Sequence, residues 1–153
     1  MGSAMPRFKL ATSAWESLFR AKVSVNRRLN TEARAYGLPM REYDVLYNLS
    51  RFPGGRLRLH ELNAHILIDQ SSLSRLVERM AADGLVARLP DPGDRRGTLV
   101  ELTERGAAEQ RRVGAQHAAA IGKLVGAALT ADELRTLQRL CDKLRAAQEK
   151  IPD

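Results

Sequence analysis

Between Leu85 and Gly106 the chain carries two short alternating segments around a turn, and this stretch constrains the fold more than any other. Leu85-Val86-Ala87-Arg88-Leu89 and Thr98-Leu99-Val100-Glu101-Leu102 each alternate apolar and polar residues, the pattern of half-buried strands. The segment Pro90-Asp91-Pro92-Gly93-Asp94-Arg95-Arg96-Gly97 between them is turn chemistry with two adjacent arginines at its tip. Just upstream, Asp69 to Gly84 reads as a short capped helix with hydroxyls and Arg75 near its start. A helix followed by a two-stranded, arginine-tipped ribbon is the layout of a winged helix-turn-helix.

The rest of the chain reads as helices. Ala14 to Tyr36 carries Trp15, Leu18, Phe19, Val23, Val25, Leu29 and Ala33 close to one helical stripe, and Gly37 is a natural stop. A second helix follows Pro39 over Met40 to Ser50 and is broken by Pro53-Gly54-Gly55. Leu57-Arg58-Leu59 is short but can add a third strand to the wing sheet, and His60 to Leu67 is a short helix with Leu62 and Ile66 inward. Asp69 is an N-cap, with Leu73, Leu76, Val77 and Met80 forming the apolar face behind it. Thr103 caps a long Ala-rich helix running to about Leu129, and Thr130 with Glu133 forms a capping box for the last helix. That helix carries Leu134, Leu137, Cys141 and Leu144 on one stripe.

Bulk properties narrow the function classes. The 44% hydrophobic content allows a buried core, and the 5% aromatic content leans towards an α-rich chain. There is no run long enough to span a membrane and no signal-peptide pattern, and a lone Cys141 fits a reducing compartment, so the expectation is cytoplasmic. Met1-Gly2-Ser3-Ala4 before Met5 has the look of a cloning remnant. The net charge of +7 favours an anionic partner, but its placement is uneven. Residues 1–56 hold ten Lys/Arg against four Asp/Glu, whereas residues 57–102 hold six against seven. The case for DNA rests on where side chains stand, not on the total.

Placement favours double-stranded DNA. One α-helix fits the major groove with its N-terminal part nearest the base edges. Short Ser71, Ser72 and Ser74 let the backbone approach, Gln70 can read an adenine edge, and Arg75 can contact guanine or clamp a phosphate. Arg95 or Arg96 can enter the neighbouring minor groove. Asp91 and Asp94 are poor phosphate neighbours, so their expected task is to order the wing by pairing with those arginines. A solvated hairpin beside an amphipathic helix would explain each part alone, but not the ordered set.

These residues resemble the MarR family of bacterial transcription regulators. The resemblance is carried by Asp91-Pro92-Gly93-Asp94-Arg95-Arg96-Gly97 followed by Leu102-Thr103-Glu104-Arg105-Gly106, and by Gln70-Ser71-Ser72-Leu73-Ser74-Arg75-Leu76-Val77-Glu78-Arg79-Met80 ending in Asp83-Gly84-Leu85-Val86. It implies a mainly α fold with a small antiparallel β-wing. It also implies one domain over 5–153, in which 38–106 is the DNA-binding lobe and 8–37 and 107–150 are dimerisation helices. A homodimer on a pseudo-palindromic site is implied too, usually a repressor released by a small aromatic or phenolic effector. Trp15, Phe19, Tyr43 and Asp69 are the residues that such an effector pocket would use, and no cofactor is implied. Apolar residues on the terminal helices (Ile121, Leu124, Val125, Leu137, Leu144 and Trp15 among them) exceed what one small lobe needs, in keeping with a dimer.

Other classes fit less well. A thiol sensor would rest on Cys141 alone, on an apolar stripe where buried inert thiols are common. His60, His65 and His117 lack metal-ligand spacing, and there is no phosphate loop or nucleophile elbow, so no metal site and no enzyme are expected. A winged helix serving as a protein-interaction module would have no need of Arg75, Arg95 and Arg96.

Overall fold

Local caps set most of the element boundaries. The computed structural model describes residues 6–66 and 68–151. Met1 to Ala4, Met5 and Leu67, to which the sequence expectations extend, lie outside the described residues. The chain sorts into two compact units, one holding the chain up to Leu29 and from Ala119 onward, the other Asn30–Ala118.

Helix α1 spans Arg7–Ala33 and continues into a single 3-10 turn, Arg34–Tyr36. Its start lies upstream of the expected Ala14. Gly37 ends the run with φ +71°, a left-handed conformation that suits a residue without a Cβ. Helix α2 covers Met40–Ser50 as expected, and the Pro53–Gly55 turn leads into strand β1, Arg56–Arg58. Leu59, expected in that strand, instead opens α3, Leu59–His65. Helix α4 is Gln70–Ala82. The connection from α3 to α4 is held by Asn63 Nδ2, which donates to the Ile68 carbonyl at 2.9 Å.

Strands β2, Val86–Asp91, and β3, Asp94–Leu102, complete an antiparallel sheet of order β1-β3-β2, with Leu57 opposite Val100 and Val86 opposite Leu102. The core of this unit gathers Leu46, Leu49, Leu62, Leu73, Val77, Met80, Val100 and Val113 from five elements, all nearly inaccessible. Each such side chain contributes roughly 1.5–3 kcal/mol of burial, an upper figure. Helix α5 is Glu104–Ile121. Thr103 Oγ1 accepts from the Gly106 N–H at 3.0 Å and donates to the Gly84 carbonyl at 2.7 Å, so one hydroxyl caps α5 and ties it to the end of α4.

In the other unit the expected single helix to Leu129 gives way to a wider π-type turn at Gly122–Gly126. Helix α6, Ala131–Gln148, starts at the expected box, in which Thr130 N donates to Glu133 Oε2 at 2.8 Å and Glu133 N donates to Thr130 Oγ1 at 3.3 Å. Trp15 and Phe19 on α1 are 62% and 52% exposed, and Leu137, Leu140 and Leu144 on α6 are exposed as well. Between α1 and α6 lies an apolar cleft of about 400 Å³ lined by Trp15, Leu18, Leu137, Leu140, Cys141 and Leu144. No helix among the described residues is long and apolar enough to cross a membrane.

Candidate nucleic-acid interface

Helix α4 has two chemically distinct sides. Leu73, Leu76, Val77 and Met80 are buried in the core, whereas Gln70, Ser71 and Arg75 are exposed and Ser72 and Ser74 half-buried. The N-cap Asp69 does more than close the helix. It accepts from the Ser72 N–H at 2.8 Å and from the hydroxyls of Ser71 and Ser72, each at 2.6 Å. These donors, the Ser71 and Ser72 hydroxyls foremost, hold its carboxyl well below the usual carboxylate range. The Ser71 and Ser72 hydroxyls are therefore oriented by their own cap.

The wing differs from the sequence expectation in shape and in pairing. Asp91 faces Asp94 directly, so the turn is only Pro92-Gly93, and the register then jumps so that Pro90 faces Thr98. Arg95, Arg96 and Gly97 fall in that irregularity, on β3 rather than at a broad loop tip. The expected pairing of Asp91 and Asp94 with the tip arginines is not what the structure has. Asp91 is buried and pairs with Arg58 of β1, Nε to Oδ2 at 2.5 Å, while also accepting from the Gly93 N–H at 2.9 Å. The Arg58 hydrogen bond and then the Gly93 N–H hold its carboxyl below the ordinary value. Asp94 accepts from the backbone N–H of Arg96 at 2.9 Å, not from a guanidinium. A buried carboxylate takes the cation the sheet brings to it, and that is the half-exposed Arg58. Arg95 and Arg96 are exposed, without a carboxylate partner among the described residues.

The four residues expected for an effector pocket are divided between the two units. Trp15 and Phe19 belong to one unit, with ring centroids 6.3 Å apart. Tyr43 and Asp69 belong to the other, where Asp69 is spent on its cap. Tyr43 is buried and lies against Tyr47 and His117, at 6.0 and 5.4 Å between centroids, and burial pushes its phenol up.

Sequence reasoning misses Arg58 and the α2 residues Arg41 and Glu42. Glu42 is buried in the first turn of α2 with Oε1 3.5 Å from Arg79 Nε on α4. No short-range spacing announces either pair, since the partners are brought together only by folding.

An exposed polar face on the second helix of a helix-turn-helix, flanked by a ribbon with unpaired arginines, defines a winged helix-turn-helix protein. Comparison with known proteins narrows the class. The sequence pattern of the MarR family matches residues 36–97. The multiple antibiotic resistance protein MarR of Salmonella typhimurium is 36% identical over 84 residues, 55% of this chain and 58% of that protein. The HTH-type transcriptional regulator MhqR of Bacillus subtilis is 30% identical over 108 residues, 71% of this chain and 73% of that one. Sco3205, a MarR family transcriptional regulator from Streptomyces coelicolor solved in complex with DNA, aligns with a TM-score of 0.77 at 29% identity, over 93% of this chain and 92% of that chain. The chain belongs to the MarR family. Its match spans 58% of the length of relatives such as the Salmonella protein.

Proposed function

We propose that the protein is a sequence-specific, double-stranded-DNA-binding transcription regulator, acting in the cytoplasm as a homodimer on a pseudo-palindromic operator, most simply as a repressor. The observation that carries this reading is the division of α4, whose Leu73, Leu76, Val77 and Met80 are buried in the core while Gln70, Ser71 and Arg75 are exposed and Ser72 and Ser74 half-buried. Arg95 and Arg96, exposed on the wing, supply the second contact. Asp91 and Asp94 order that wing through Arg58 and through backbone N–H groups. The exposed apolar residues of α1 and α6 are the surface a second copy would cover, which supports the dimer. A small aromatic or phenolic effector belongs to the proposal, with the exposed Trp15–Phe19 pair as its first candidate contact. No catalysis and no cofactor enter this reading.

Selection of the purified protein on random duplex DNA, at a stated salt near physiological, tests the core of the proposal. An enriched inverted repeat, with half-sites about one helical turn apart, is the expected outcome. Binding without a motif, fading steeply with salt, would leave only non-specific attraction and favour a protein-interaction module instead.

A further inference from the structure

We propose that Arg41, Arg75 and Arg79 form a seat for one phosphate of the DNA backbone beside the reading end of α4; the inference rests on the DNA-binding reading above. A concavity of about 200 Å³ is lined by Arg41 from the first turn of α2, Ile68 from the helix connection, and Ser72, Arg75, Leu76 and Arg79 from α4. Arg75 and Arg79 are four residues apart, so they stand one above the other on the helix face. Arg41 comes from a different element, and only the packing of α2 near α4 makes it the third guanidinium.

Charge identifies the occupant. Three arginines line this hollow, and the buried Glu42 pairs with one of them, its Oε1 3.5 Å from Arg79 Nε. Asp69, which adjoins the lining residue Ile68, is occupied by the Ser71 and Ser72 hydroxyls and the Ser72 N–H. Arg41 and Arg75 are both exposed and have no carboxylate partner among the described residues. Such a cluster repels itself until an anion enters. Guanidinium forks match phosphate oxygens in pairs, and a tetrahedral oxyanion can be shared between several of them. Glu42 then acts as a positioning residue that keeps Arg79 turned into the seat. The hollow adjoins the helix end that faces the bases, so the anion that reaches it when α4 is in the major groove is a backbone phosphate. A contact of this kind fixes the register of the helix on the duplex without reading sequence.

The test uses the full chain and Arg41→Gln, which removes an exposed, unpaired side chain and so leaves the fold intact, against the selected operator and a scrambled duplex over a salt series. Arg41→Gln is expected to weaken both duplexes by the same factor, roughly tenfold. The slope of log affinity against log salt should fall by about 1, with the selected motif unchanged. Neutralising single phosphates as methylphosphonates should reveal one position per half-site that matters to the wild type and no longer matters to Arg41→Gln. Wild-type affinity and slope in Arg41→Gln would overturn the seat, as would an equal loss in Lys150→Gln or a methylphosphonate profile that the variant leaves unchanged. If the wild type binds neither duplex, the DNA reading itself fails and the seat with it.

Discussion

Arg58 Nε donates to Asp91 Oδ2 at 2.5 Å, linking the two outer strands of the sheet, β1 and β2, past the central β3. The Asp91 side chain is only 2% exposed, so its charge depends on this partner. The same carboxylate accepts the Gly93 N–H, which joins the strand end to the wing turn. Arg58→Met is expected to speed hydrogen exchange at the Gly93 and Arg96 amides while Leu76 and Val77 in α4 keep their protection. Equal acceleration at both places would mean that the pair stabilises the whole unit rather than the wing.

The Asp69 cap makes a pH prediction whose sign is fixed by its partners. Its carboxyl titrates lower in the folded than in the unfolded chain, so it contributes stability above about pH 4, the range of a free aspartate, and loses it as pH falls further. Asp69→Asn keeps a capping oxygen but cannot titrate. Its melting temperature should lie below the wild type near neutral pH and approach it on acidification. A gap that does not change with pH would show that the cap works without its charge.

At Gly106 an added Cβ would stand 1.9 Å from the Leu85 carbonyl oxygen, which is backbone and cannot swing away. Gly106→Ala is expected to cost about 1–3 kcal/mol or more, read as a lower urea midpoint. Gly122→Ala is the contrast, because a Cβ added there would meet nothing within 4 Å. That change should be neutral or mildly stabilising.

The apolar surface of α1 and α6 predicts the oligomeric state. Leu140 is 52% exposed, and the chain's one tryptophan, Trp15, lies on the same cleft. Leu140→Glu should reduce the mass seen by light scattering from dimer to monomer. Trp15 emission should shift to shorter wavelength with rising concentration in the wild type but not in the variant. An unchanged mass in Leu140→Glu would remove this face from the interface.

Replacing both Arg95 and Arg96 by alanine is expected to lower DNA affinity and to reduce the salt dependence by about 2. Melting should stay at the wild-type temperature, because both side chains are exposed. Intact affinity in the double variant would favour the interaction-module reading.

Much of the fold is legible from residues within a turn of one another. The N-cap at Asp69, the box of Thr130 and Glu133 and the start of α2 after Pro39 all appear where their spacing places them. The π-type turn at Gly122–Gly126 is not legible, because the Ala-rich stretch around it has helical spacing throughout. The wing turn looks too broad in the sequence, since Pro90 to Gly97 is all turn-compatible and only cross-strand register shortens it to Pro92-Gly93. The exposed side of α4 can be seen in Gln70, Ser71 and Arg75, whose positions on one helix set their side.

The sequence by itself determined the caps at Asp69, Thr103 and Thr130 and the inward face of α4, because those depend on interactions between residues three or four apart. Only the tertiary structure decided that Asp91 belongs to Arg58, that Glu42 holds Arg79, and that Arg41 joins the arginines of α4. Those pairings join residues more than thirty positions apart, and no local pattern encodes which distant cation reaches a buried carboxylate. The packing of strands and helices around one core makes that choice.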